Sequence, residues 1–463
     1  MSEQIQENKM GVMPVGKLLA NMAIPMMLSM LVQALYNVVD SVFVSHISAT
    51  NQDALNAVNM SFPMQNLMIA VGVGVAVGVN ALLSRSLGER DFKTANRAAG
   101  NGIFLSVLSY LAFLVVGLVV PRYFFAGQNA TAAVVEQGSV YLTICCVFSF
   151  GIFMEMIFDR LLQSVGKTSY TMFTQGLGAV INIVLDPLLI FGIGPFPVMG
   201  VAGAAVATVV GQIAAACLSI FFNLKFNHEI KFSLHDLKPK ASVVKRIYAV
   251  GVPTMVMNSI GSVMVFGINK NLMGLTETAT TVFGVYFKLQ SFIFMPEFGL
   301  NNGMVPIVAY NYGARKKKRI LDTIRLAAIT AVCIMVVGMI AAEIFTPQLL
   351  SIFNASPDML SIGVPALRII CTSFVFAGFC IIASSSFQAL GNGILSMVVS
   401  LVRQLVVLLP VAWLLSLSGN VTLVWLAFPI AELFSLTLCT FFLRHMIRTV
   451  VDPLDDEKNL AQE

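Results

Sequence analysis

The chain has 463 residues, enough for about three soluble domains of ~150 residues, yet 57% of them are hydrophobic and only 11% are charged. A water-facing surface needs roughly a quarter of its residues charged, so soluble classes are excluded and a polytopic membrane protein remains. The formal net charge of +5 does not point to nucleic acid, because the basic residues are spread over loops that face anionic lipid head groups. Apolar runs recur from Lys17 to Arg448, and each is long enough to cross the ~30 Å hydrocarbon layer as a helix with its backbone satisfied internally. An outer-membrane barrel would show short alternating segments instead.

Residues 1–16 are mostly polar and lack the positive, apolar, small-residue order of a removable signal peptide, so a cytoplasmic tail is expected. Twelve spans are predicted at 17–45, 52–83, 98–120, 132–160, 168–192, 199–223, 245–271, 279–311, 320–345, 359–388, 393–416 and 421–444. With the amino terminus inside, 23 of the 28 basic residues fall on the inner side; the other five are Arg122, Lys270, Lys288, Arg368 and Arg403. The positive-inside rule therefore sets the orientation and the even span count, with both termini cytoplasmic. The expected organisation is an amino-terminal lobe over 17–223, a charged linker over 224–245, a carboxy-terminal lobe over 246–446 and a tail over 447–463. All seven cysteines lie inside apolar runs without metal-ligand spacing and are read as small packing residues.

The halves repeat. Leu87-Gly88 and Tyr312-Gly313 stand 225 residues apart, as do Gly166 and Gly391 at the ends of LQSVG and FQALG, while Pro25 and Pro253 align at 228. Six spans per half is an even number, so the repeat is parallel about an axis along the membrane normal, as in many transporters. Residues present in both halves serve the lobe fold; those present once serve a specialised task. Pro25 and Pro253 are expected to bend the first helix of each lobe by removing a backbone bond, with Pro25 as a hinge candidate.

Asp40 lies ~35 Å and Asp186 ~27 Å from the inner ends of the first and fifth spans at ~1.5 Å per residue. Both therefore belong in the outer half of the amino-terminal lobe. Asn182 shares the helix face of Asp186, and Tyr36 and Asn37 stand one turn before Asp40. The second half has Ile268, Val407 and Val411 for Asp40, Asn182 and Asp186, so the fold does not demand acids there. An isolated carboxylate in hydrocarbon costs ~2.5–3.5 kcal/mol on insertion scales and marks an ion or proton path. Low dielectric favours the neutral acid and a bound cation favours the ion, so this cluster can carry H⁺ or Na⁺, the latter making Asp40, Asn182 and Asp186 its ligands.

Glu155 and Asp159 share a face of the fourth span and are expected to pair with Lys93, Arg97 or Lys167. In the second lobe Lys288, Glu297, Arg368, Arg403 and Glu432 are embedded. Glu297 and Glu432 are the candidates there for contact with a cationic substrate, along with Gln33 in the first lobe. Gly166-Lys167-Thr168 is not a phosphate loop, since Leu161 stands where the pattern needs Gly. Gly72, Gly74 and Gly78 lie inside a span and read as helix-packing residues. The histidines form no metal triad, and without a nucleotide site any transport must run on an ion gradient. The many Met and Phe residues suit a loosely specific pocket for amphipathic cations.

With these residues in hand, the whole chain resembles the multidrug and toxic compound extrusion family, in the bacterial branch of small drug exporters. The resemblance rests on Ala23-Ile24-Pro25, on Tyr36-Asn37-Val38-Val39-Asp40, on Leu87-Gly88 and on Leu162 to Gly166. It rests further on Asn182 to Pro187, Gly200 to Ala205 and Pro306 to Gly313. It implies an all-α fold of two six-helix bundles in a V that opens alternately to each side and exports amphipathic, often cationic compounds against H⁺ or Na⁺. By that resemblance the coupling ion binds at Asp40, Asn182 and Asp186. Some members add a sixth-helix hydroxyl, for which Thr208 is the nearest candidate, although the closest motif position holds Ala204. Others carry a seventh-helix acid, and none occurs from Lys245 to Lys270. The expectation is a monomeric antiporter of the bacterial plasma membrane, without cofactor or nucleic-acid partner. Two alternatives stand beside it: a lipid-linked saccharide flippase using Lys288, Arg368 and Arg403, and a non-transporting scaffold or sensor.

Overall fold

A computed structural model describes residues 7–47, 53–128, 130–353 and 356–454; the remainder of the two expected tails lies outside the described residues. The regular elements among the described residues are all helices, with no strand. The spans are α1 (Val15–Ser45), α2 (Asp53–Gly88), α3 (Phe92–Val119), α4 (Ala132–Val147 and Phe150–Ser164), α5 (Thr168–Phe191) and α6 (Val201–Phe226). The second half repeats them as α7 (Ala241–Met273), α8 (Glu277–Gly313), α9 (Lys317–Ser351), α10 (Pro357–Cys371 and Phe374–Ala389), α11 (Gly393–Ser416) and α12 (Val421–Val451).

Among the described residues nine helices are long and apolar enough to cross a membrane, or eleven when the two bent pairs α4 and α10 count as one span each. The remaining expected span is α8, whose 37 residues include Lys288, Glu297 and several amides that lower its hydropathy. The breaks in α4 and α10, bent by 43° and 46°, carry no glycine or proline at the bend to announce them in the sequence. Their physical cause is shared: Ser149 Oγ donates to Cys146 O at 2.7 Å and Ser373 Oγ to Ile370 O at 2.6 Å. A hydroxyl that takes a helical carbonyl bends the helix at that turn. Two cysteines also depart from expectation: Cys217 and Cys333 are exposed on their helices, and the other five are buried.

The chain divides into two compact units, one continuous, Leu28–Met255, and one made of two stretches, Met1–Met27 with Val256–Glu463. The divisions fall two residues after Pro25 and two after Pro253, so α1 and α7 each begin in one unit and end in the other. Glycines make these crossings. In the first unit, a Cβ on Gly74 of α2 would lie 2.7 Å from Gly251 O of α7, and one on Gly78 would collide with Ile247 O. In the second unit, a Cβ on Gly303 of α8 would lie 2.7 Å from Ala23 Cα, and one on Gly299 would strike the Met27 backbone. Gly74 and Gly78 recur as Gly299 and Gly303 at the 225-residue offset. The packing role expected for Gly74 and Gly78 is thus accounted for: small residues four apart let helix backbones touch.

The segments leading into α1 and α7 are fastened inside the unit that each enters. A short helix, Lys9–Val12, buries Met10. Arg319 Nη2 donates to Met10 O and Met13 O, both at 2.8 Å, and Arg319 Nε to Asn311 Oδ1 at 3.0 Å, while Lys316 pairs with Glu7. In the other unit Asn101 accepts from Lys240 N at 2.8 Å and donates to Asp236 O and Lys238 O. Nearby, Asp91 caps α3 by accepting from Thr94 N at 3.0 Å, and its hydrogen bonds to Thr94 hold its carboxyl below the usual carboxylate range. Arg319→Ala strips a charged donor from two carbonyls, a loss of about 1.5–3 kcal/mol. Local opening of residues 7–14 is then expected to rise about tenfold or more, seen as faster tryptic cleavage after Lys9; an unchanged rate would show that Arg319 does not hold the segment.

Candidate ion site

The site begins with how closely α5 and α6 approach. A Cβ on Gly211 would lie 2.7 Å from Gly178 O, and one on Gly203 2.6 Å from Leu189 O. The small residues from Gly200 to Ala205 therefore do a packing job, and the close contact carries Thr208 to the face of α5 that holds Asn182. Asn182 and Asp186 are one turn apart and 3% and 0% exposed. With the amide set by its hydrogen bonds, Asn182 Nδ2 donates to Asp186 Oδ2 at 3.1 Å and its oxygen lies 3.2 Å from Thr208 Oγ1. Thr208 Oγ1 lies 3.0 Å from Ala204 O, which ties the hydroxyl to the backbone of the motif position. Pro187 has no N–H for the Ile183 carbonyl, which leaves a backbone oxygen without its helical donor one turn before the proline.

Asp40, from the carboxy-terminal half of α1, comes within hydrogen-bonding reach of Asp186. Asp40 Oδ1 and Asp186 Oδ1 are buried and accept no hydrogen bond, and among the described residues no Lys, Arg or His pairs with either acid. Tyr36 interacts electrostatically with Asp40, Asp186 and Glu155. Asn37 and Gln33 lie on an exposed face of α1. Sequence reasoning missed two neighbours. Tyr141 of α4 lies within the electrostatic reach of Asp40 and accepts from Gln65 Nε2 of α2 at 3.1 Å. Tyr141 faces Ala366 in the repeat, so its presence in one half was an available signal; Gln65 recurs as Gln290 and carried none.

A second polar cluster lies in the same unit, and here the expectation is corrected. Among the described residues no ion pair joins Glu155 or Asp159 to Lys93, Arg97 or Lys167. Asp159 is buried, and accepts from Thr174 Oγ1 at 2.8 Å, Ser219 Oγ at 2.7 Å and Gln175 Nε2 at 3.1 Å. Lys167 is turned away to Phe226 O. Helix neighbours outcompeted the loops because α5 and α6 already bracket this face of α4. Asp159→Ala takes the acceptor from the buried Ser219 hydroxyl and the half-buried Gln175 amide, while Thr174 keeps Thr171 O at 2.8 Å, and is expected to cost about 1–3 kcal/mol, read as a lower thermal midpoint in detergent; an unshifted midpoint would deny the network its structural role.

In the carboxy-terminal unit Glu432 lies 2.9 Å from Arg403, Arg368 3.8 Å from Glu343, and Lys288 stands over the Phe353 ring at 6.0 Å. Glu297 is 0% exposed. Neither candidate acid for substrate contact therefore presents a free carboxylate to solvent.

The MatE family model matches this chain twice, at residues 25–188 and 253–414, so each half carries the same pattern, as the glycine spacing requires. Among curated relatives, the multidrug export protein MepA of Staphylococcus haemolyticus is 24% identical over 443 residues, covering 96% of this chain and 95% of the relative. An FAD transporter of Shewanella oneidensis is 25% identical over 439 residues, covering 94% and 96%. Among solved structures, a MATE transporter in complex with MaL6 superposes with a TM-score of 0.90 at 24% identity, covering 96% of this chain and 99% of that one. The outward-facing conformation of a multidrug resistance MATE family transporter also matches at 0.90 and 24%, covering 96% and 98%. These likenesses fix the fold as that of a multi-pass membrane protein with two related halves.

Proposed function

From the premise that the chain belongs to the MatE family, we propose that it is a secondary exporter of the bacterial plasma membrane that exchanges amphipathic or cationic small molecules for H⁺ or Na⁺. The observation that carries this is the meeting of Asp40 and Asp186, each with an orphaned buried oxygen and neither with a basic partner. Two carboxylates in contact at low dielectric cannot both stay ionised without a cation between them. Asp40 and Asp186 hold the ion, Asn182 orients Asp186, and Thr208 fixes Asn182. Tyr36 and Asn37 line the approach, Gln33 on the exposed face of α1 is the substrate contact, and the turn at Pro25 lets α1 change shape when the ion binds. Each ligand must favour a different conformation, or nothing couples.

The test is efflux of ethidium from vesicles containing the purified chain under separate pH and Na⁺ gradients. Acceleration by one gradient and not the other names the ion; indifference to both removes the antiport reading and favours a scaffold or sensor. A second reading, export of an anionic flavin nucleotide, is favoured by the similarity to the Shewanella oneidensis protein, and FAD in the same vesicles tests it. The flippase reading has less support, since Arg368 and Arg403 are neutralised by Glu343 and Glu432.

A further inference from the structure

The carboxy-terminal unit has a buried acid that the site above does not use. Glu297 follows Pro296 in the middle of α8, is 0% exposed, and accepts no hydrogen bond on either carboxyl oxygen. The charged groups that act on it are Glu432 of α12 and Arg403 of α11, which pair with each other at 2.9 Å. Arg403 lies in a π-helical stretch, Val402–Leu408, inside α11, a local widening that is frequent at functional sites. Glu432 Oε2 is likewise buried without a partner. Other elements packed on α8 add no charge there among the described residues: Glu343 of α9 and Arg368 of α10 face each other, and α1 passes Gly299 with the backbone of Met26 and Met27.

The repeat removes the scaffold explanation. At the 225-residue offset Glu297 and Arg403 fall on Gly72 and Gly178, so the same fold is built in the other half with small uncharged residues at both places. One guanidinium cannot neutralise two carboxylates, and a carboxylate ion with no donor costs several kcal/mol to bury.

We infer that Glu297 is a proton-exchanging site of the carboxy-terminal unit, with the Arg403–Glu432 pair as its fixed counter-charge. In the present state Glu297 is a neutral acid. A conformational change that admits water lets its O–H proton pass to bulk solvent, and the carboxylate left behind becomes a second partner of Arg403; reprotonation from water on the opposite side restores the neutral acid. This inference rests on the antiport reading and adds a protonation step outside Asp40 and Asp186.

Infrared spectroscopy of the full chain in lipid nanodiscs tests the protonation directly through the carbonyl stretch of neutral carboxylic acids. In an Asp40→Asn/Asp186→Asn background this band is expected to persist and to lose one carboxyl's intensity when Glu297→Gln, a near-isosteric change, is added. Unchanged intensity on that addition overturns the inference. In vesicles, Glu297→Gln alone is expected to slow efflux of tetraphenylphosphonium driven by a pH gradient about tenfold or more; wild-type rate and pH dependence also overturn it. The infrared result does not depend on transport, so a wild type that moves no tetraphenylphosphonium defeats the antiport reading while the protonation of Glu297 is still decided.

Discussion

Asp40→Asn and Asp186→Asn are each expected to lower gradient-driven efflux about a hundredfold while leaving a folded, monodisperse protein. The reason is energetic rather than steric. An ion can move a conformational equilibrium only by its difference in affinity between the two states, and reversing a 1:99 population needs about 5.5 kcal/mol of such difference. In this chain the groups that can supply it at one place are the two acids whose carboxyls meet, each with an oxygen free of donors. Asparagine keeps the volume and one acceptor but can neither take up a proton nor neutralise Na⁺. Thr208→Val removes only neutral hydrogen bonds, about 1 kcal/mol, and is expected to cost no more than about tenfold, whereas Asn182→Ala also takes a donor from Asp186 and is expected to fall between that and the aspartate variants. Initial efflux rates in vesicles, with protein content and thermal midpoint measured on the same preparations, check the series. Wild-type rates for both asparagine variants would remove Asp40 and Asp186 from the mechanism.

Gly303→Leu should produce the largest loss of folded protein. Its Cβ would lie 2.7 Å from Ala23 Cα and 2.8 Å from Ala23 N, and a helix backbone cannot yield as a side chain can. Overpacking a well-filled contact usually costs about 1–3 kcal/mol, and a clash against backbone belongs at or above the top of that range. Gly78→Leu, which meets Ile247 O at the equivalent crossing, is expected to behave alike because the two glycines are repeat mates. Gly261→Ala is the control: nothing lies within 4 Å of its Cβ, and a helical alanine there is expected to be neutral or to stabilise by about 0.4–1 kcal/mol. Yield of monodisperse protein and the thermal midpoint read all three. A Gly303→Leu protein as stable as Gly261→Ala would mean that the crossing is looser than its geometry indicates.

These crossings also explain why mutations there would be hard to foresee. A glycine inside an apolar run looks alike whether it faces open space, as Gly261 does, or a backbone, as Gly303 does. The repeat offset hints at the difference, since Gly74 and Gly78 recur and Gly261 does not align with a glycine. Which helix each glycine meets is a matter of three-dimensional packing between segments far apart in the chain, as Gly78 and Ile247 or Gly303 and Ala23 are.

What the sequence by itself determined is whatever depends on neighbours along the chain. Apolar runs and their breakers placed the twelve helices, the duplication showed as fixed offsets, and helical rise put Asp40 and Asp186 in the carboxy-terminal halves of α1 and α5 with Asn182 one turn from Asp186. What only the tertiary structure decided is which groups those residues meet. Thr208 reaches Asn182 because glycines bring α5 and α6 together, Asp159 is claimed by Thr174, Gln175 and Ser219 rather than by basic loops, and Glu297 loses all contact with solvent. The physical reason is that a helix's period and burial tendency are summed over adjacent residues. A polar side chain's partner is chosen instead by the distance and rotation between two helices, and those are set at a few close contacts whose sequence signature is a single small residue.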